Sequence, residues 1–155
     1  MRKTPFVVNI PRVAAENWHT PTGDPVWISI YEPDCPESNI SNDILERHNF
    51  LKIPLWDLTE PVPLVGRGEM AYPPSEKDAA RIVEFIERNR GRNLVVNCAA
   101  GVARSGAVAE FCHRKLGYKW LEIGRQFALP NVVLREMLDK EWEHRNSESC
   151  TSTQD

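Results

Sequence analysis

The chain is 155 residues long, 41% hydrophobic and 26% charged, the make-up of one ordinary globular domain with no room for a second. Nineteen basic against twenty-two acidic side chains leave a net charge of −3, which speaks against a general nucleic-acid or polyanion binder while allowing a local basic pocket. No apolar run approaches the roughly 18 residues of a membrane span, so no membrane partner is expected. The start, Met1-Arg2-Lys3, is basic, but the apolar stretch 6–10 is short and broken by Asn9 and Pro11, unlike a signal peptide. Residues 26–31 (VWISIY) are β-branched and aromatic between Pro25 and Pro33, and predict a strand. Residues 50–55 (FLKIPL) predict another, with Pro54 near its end or at a sheet edge. Residues 56–74 follow as a long proline-rich linker without periodicity, the kind of loop that is usually functional.

Ser75 and Asp78 have capping-box spacing, and behind them Ala79, Ile82, Val83 and Ile86 recur at helical intervals until Gly91. Residues 93–96 (NLVV) form an apolar run into Cys98, a buried strand by length and branching. A helix is expected over 105–116, with Val108, Phe111 and Cys112 on one face and Gly117 as its stop. Trp120, Ile123 and Phe127 predict a third helix, and Leu134, Met137, Leu138 and Trp142, after Pro130-Asn131, a fourth. Residues 147–155 (SESCTSTQD) are small and polar and are expected to form a disordered tail behind a single domain at 1–146. Strands alternating with helices give an α/β fold, with a central, mostly parallel twisted sheet flanked by helices.

The four cysteines, Cys35, Cys98, Cys112 and Cys150, are scattered, with no CxxC pairing or metal-ligand spacing. A reduced, cytoplasmic protein without a disulfide framework, metal or cofactor is expected, monomeric by default. Cys112 and His113 are neighbours on one helix and do not face one another, so they make no dyad; Cys112 is assigned to the core and His113 to the surface. Most of the five tryptophans are assigned to the core.

The informative segment is Asn97-Cys98-Ala99-Ala100-Gly101-Val102-Ala103-Arg104-Ser105-Gly106. A cysteine ends a buried strand, a loop of small residues follows, and an arginine and a serine open a helix. Successive backbone N–H groups in such a loop form an anion-binding nest, and the helix N-terminus adds partial positive charge. Gly101 permits a backbone angle that larger residues resist, and Arg104 offers a fork of donors to a phosphoryl group. The same electropositive cup favours the thiolate of Cys98.

This segment resembles the His-Cys-x5-Arg-Ser/Thr signature of the cysteine-based protein tyrosine and dual-specificity phosphatases. Ile53-Pro54-Leu55-Trp56-Asp57 resembles the strand and loop that carry the general-acid aspartate of that family, and the helix from Ser75, the strand into Cys98 and Pro130-Asn131 fall in family order. Residues 26–30 are similar to the early strand of small stand-alone prokaryotic or phage members, and the match covers roughly residues 26–142. The resemblance implies a metal-independent phosphomonoester hydrolase acting on a phosphoprotein or phosphopeptide through a cysteinyl-phosphate. It implies Cys98 as nucleophile, Arg104 as phosphate clamp, Ser105 as stabiliser of the departing thiolate and Asp57 as general acid and then base. The backbone of Ala99, Ala100, Gly101, Val102 and Ala103 would hold the phosphate with Arg104. Among other carboxylates Glu60, Glu69 and Asp78 compete with Asp57, which is favoured because it directly follows an apolar strand. Trp56 could line the acid loop, Trp56 or Tyr72 could sandwich a phosphotyrosine ring, and Arg67 could reach a second anionic group.

One departure stands out: the family's histidine before the nucleophile is Asn97 here. It motivates the alternative of a phosphate- or phosphoprotein-binding module of the same fold that has lost turnover. A sulfurtransferase or arsenate reductase places its loop or arginine differently.

Overall fold

A computed structural model describes residues 3–17, 25–34 and 49–152. Its centre is a five-stranded sheet, parallel throughout, built from β1 (Phe6–Pro11), β2 (Val26–Tyr31), β3 (Phe50–Pro54), β6 (Leu94–Cys98) and β7 (Lys119–Trp120). The strand order is β3-β2-β6-β1-β7, which places the strand ending at Cys98 in the middle. Its register sets Pro11 beside Cys98, and both Ile10 and Ser29 beside Asn97.

The apolar runs are continuous because the sheet is covered on both faces. Val7, Ile28, Ile30, Leu94 and Val96 join one core cluster, which also takes the inner faces of α2 (Glu76–Arg88), α3 (Arg104–Leu116) and α5 (Val132–Ser152). Val8, Ile10, Trp27 and Val95 join the other, against Ala14 and Ala15 of the short α1 (Arg12–Glu16) and against Leu121. Along β2 the alternation is strict: Val26, Ile28 and Ile30 on one side, Trp27 on the other. Phe111 and Trp142 lock α3 to α5 edge to face, with ring centroids 5.9 Å apart.

Several expectations match these elements. Ser75 caps α2 in a reciprocal capping box with Asp78, and Gly117 ends α3 in the left-handed conformation. Others are corrected. Residues 56–74 are not structureless, since β4 (Val62–Leu64) and β5 (Glu69–Ala71) pair antiparallel across a turn in which Gly66 and Gly68 take positive φ. The third helix shrinks to α4 (Glu122–Arg125): Trp120 is a strand residue paired with Val7, while Ile123 and Phe127 lie exposed. Helical spacing here joined one strand residue to two surface ones. The first strand, broken by a polar residue and a proline, gave no strand signal, yet it sits between β6 and β7. The last helix runs on to Ser152, through the first part of the segment expected to be disordered, because no Gly or Pro interrupts it. His113 is half-buried rather than on the surface, with its ring against Trp120 and Nδ1 at 2.9 Å from the Tyr118 carbonyl. Cys112 is fully buried, as expected, and burial pushes its thiol far above the ordinary value. Of the tryptophans, Trp27 is fully buried, and Trp56, Trp120 and Trp142 are half-buried; Trp18 and Cys35 lie outside the described residues.

Candidate active site

Cys98 is the last residue of β6 and Ser105 the second of α3, and the loop between them brings Sγ and Oγ to 3.1 Å. The turn depends on Gly101, whose φ is +72° and whose absent Cβ would overlap Pro11 N and the Ile10 carbonyl carbon. No other residue fits so close to β1.

Four of the loop's carbonyls are held by partners outside it. Ala99 O accepts from Arg12 N at 3.2 Å, Val102 O from Leu129 N at 3.1 Å, and Ala103 O from Ala107 N and Asn131 N. Gly101 O accepts from Asn9 Nδ2 at 2.7 Å. Across a trans peptide the N–H points opposite to the C=O, and the described residues contain no cis bond. The N–H groups of Ala100, Val102, Ala103 and Arg104 therefore face the loop's interior, and none of them donates to a carbonyl of the described turns and loops. Donors turned this way at a helix N-terminus can form an anion-binding nest. Ala99 and Ala100 are exposed, so the nest opens to solvent.

Arg104 is only 3% exposed, a costly place for a cation unless it is paired. One terminal nitrogen donates to the Leu55 carbonyl at 2.7 Å, and the other lies 3.5 Å from Glu32 Oε1. Nε is buried and has no hydrogen-bond partner among the described residues. The guanidinium is thus fixed from the ends of β2 and β3, with one donor left unpaired among the described residues.

Asp57 is exposed, three residues beyond β3, and lies in a cleft of about 390 Å³ with Ala103, Leu129 and Asn131. Asn131 Nδ2 donates to Asp57 Oδ1 at 2.9 Å and to the Leu58 carbonyl at 3.1 Å. With the Asn131 N–H on Ala103 O, one residue ties the segment of Asp57 to the loop after Cys98. It holds one carboxyl oxygen of Asp57. Of the competing carboxylates, Glu60 lines the same cleft, Glu69 lies on β5, and Asp78 is engaged in the α2 cap. Trp56 and Tyr72 line a different cleft, of about 230 Å³, together with Met70 and Asp78. Arg67 sits at the hairpin turn, 3.9 Å from Asp34. Asn97 is fully buried in the sheet.

Sequence reading missed Asn9, Glu32 and the Leu55 carbonyl, and it gave Asn131 no role. Asn9 had left a signal, a polar residue inside an otherwise apolar run; the Leu55 carbonyl, a backbone atom, could leave none.

No family model matches this chain, and no curated protein matches it. Solved structures do. The human tyrosine phosphatase-like serine/threonine/tyrosine-interacting protein aligns with a TM-score of 0.58 and 18% identity over 90% of this chain and 92% of that one. Human DUSP28 aligns with a TM-score of 0.51 and 19% identity over 93% and 96%. Identities this low speak to architecture alone: the chain shares the fold of these two structures.

Proposed function

We propose that the chain is a metal-independent phosphomonoester hydrolase working through a cysteinyl-phosphate. The observation that carries this reading is the nest of four inward N–H groups closed by a buried arginine with a spare donor, with the Cys98 thiol at its base. Such a cup matches the three outer oxygens of a phosphoryl group in the transition state better than it matches the ground state. The Cys98 thiolate attacks phosphorus as the ester P–O bond breaks, and Asp57, as a carboxylic acid, gives its proton to the leaving oxygen. In the second step the Asp57 carboxylate takes a proton from water, whose oxygen attacks phosphorus. The P–S bond breaks, its electron pair returns to sulfur, and the Ser105 hydroxyl, 3.1 Å away, donates to that thiolate. A reduced, cytoplasmic setting suits a catalytic thiol.

The loop side chains are Ala99, Ala100, Gly101, Val102 and Ala103, none charged, in an acidic protein. This favours a singly phosphorylated residue of a protein or peptide over a polyphosphoinositide, whose extra phosphates call for lysines. Trp56 and Tyr72 line a cleft apart from Asp57, so no aromatic sandwich singles out phosphotyrosine over phosphoserine or phosphothreonine.

The test is phosphate release from p-nitrophenyl phosphate in EDTA. Turnover is expected in the wild type and none in Cys98→Ser, which should still bind tungstate because the nest and Arg104 survive. Turnover in Cys98→Ser would exclude the covalent route. Tungstate binding without turnover in the wild type would instead favour the non-catalytic binding module that Asn97 suggests.

A further inference from the structure

Asn9 is a buried polar residue on an otherwise apolar strand, 2% exposed, and its side chain makes three hydrogen bonds, one of them to the loop after Cys98. Its Nδ2 donates to Gly101 O at 2.7 Å and to Gly124 O at 3.0 Å. Its Oδ1 accepts from Trp120 Nε1 at 2.8 Å. That last bond settles which way the amide faces: an indole N–H can only donate, so the oxygen must point to Trp120 and the nitrogen to the two carbonyls. Both glycines are pressed against this strand. A Cβ at Gly124 would overlap the Asn9 side chain, and one at Gly101 would overlap the Ile10–Pro11 backbone.

The carbonyl of the peptide between Gly101 and Val102 is held by a side chain, whereas those of Ala99, Val102 and Ala103 are held by backbone N–H groups. A left-handed glycine is also the residue at which the following peptide turns over most readily. We propose that Asn9 is the positioning residue of the phosphate loop: by holding Gly101 O outward it keeps the Val102 N–H turned toward the anion. Trp120 acts one step further back, by fixing the Asn9 amide. This assignment rests on the phosphate-binding reading above. The restraint comes from a strand 92 residues away.

The experiment is calorimetric titration of tungstate into wild type, Asn9→Ala, Trp120→Phe and the double variant, each checked for folding by circular dichroism at the assay temperature. Asn9→Ala is expected to weaken tungstate binding about ten- to a hundredfold, the range for one charge-assisted hydrogen bond. Trp120→Phe, which leaves Asn9 in place but free to turn, is expected to lose about threefold. The double variant is expected to bind no more weakly than Asn9→Ala, because Trp120 acts through Asn9. With p-nitrophenyl phosphate the same variants should show a lower kcat as well as a higher KM, a change that lowered stability alone does not produce in a folded sample. Wild-type affinity in folded Asn9→Ala overturns the assignment; if that variant does not fold, wild-type affinity in Trp120→Phe overturns it. A wild type that binds no tungstate overturns the phosphate-binding reading along with it.

Discussion

Replacing Asn131 separates two jobs that one side chain performs. Its Oδ1 accepts from Leu134 N at 3.0 Å, capping α5, while its Nδ2 holds Asp57 and Leu58. Asn131→Ala loses both. An N-cap is worth about 1 kcal/mol and each further hydrogen bond about 1 kcal/mol, so the loss should be about 2–4 kcal/mol. For a chain of this length that lowers Tm by about 5–12 °C. Asn131→Asp keeps an acceptor for the cap but removes the donor and sets a second carboxylate beside Asp57, so it should regain at most the cap's ~1 kcal/mol without restoring the hold on Asp57. The discriminating assay is a leaving-group series of aryl phosphates, run well below Tm. General acids matter most where the departing oxygen is most basic, so phenyl phosphate should slow about tenfold in Asn131→Asp and p-nitrophenyl phosphate much less. A wild-type leaving-group profile in Asn131→Asp refutes the positioning role and leaves Asn131 as a helix cap.

Asp57→Asn should steepen the same leaving-group profile further, since it removes the proton itself; equal losses across the series would move the role to Glu60, its neighbour in the cleft. Asn97→His is expected to keep or raise activity near pH 6, and a marked loss of kcat/KM would mean that the buried Asn97 is itself required. Cys112, its thiol held protonated by burial, keeps a proton that the unfolded chain releases above about pH 8.5, so stability falls as pH rises past that point, by up to about 1.4 kcal/mol per pH unit. Urea titrations at about pH 8.5 to 10.5 should show a shallower fall in Cys112→Ala, and parallel slopes would refute it. Phosphotyrosyl and phosphoseryl peptides should surpass soluble phosphoinositides in kcat/KM; the reverse order would point to a basic residue reaching the site, Arg67 being the first to mutate.

What the sequence made legible is what depends on local chemistry. The run into Cys98, the capping box at Ser75 and the left-handed stop at Gly117 each follow from a few adjacent residues, and each stands in the structure. The Cys98–Arg104 spacing likewise announces an anion loop. The supports around the loop were not legible, because they depend on pairing between distant segments. Glu32 reaches Arg104 only because β2 and β6 are neighbours, and Asn9 reaches Gly101 only because β1 runs beside β6. Where local pattern misled, at Trp120, Ile123 and Phe127, a short edge strand had outcompeted a helix by pairing with Phe6 and Val7.

That dependence on distant pairing also orders events as the chain folds. The loop is restrained across separations of 92 residues from Asn9 to Gly101 and 111 from Asn9 to Trp120. Loop-closure entropy must be overcome before such contacts stabilise anything, which places this topology among the slower folders of its size. During synthesis the cysteine, arginine and serine have all emerged well before Trp120 and Asn131 arrive to fix Asn9 and the acid loop. A nascent or truncated chain therefore carries Cys98 and Arg104 without these supports, and on the proposed function affinity for an oxyanion is expected only once the last strand and the final helix dock.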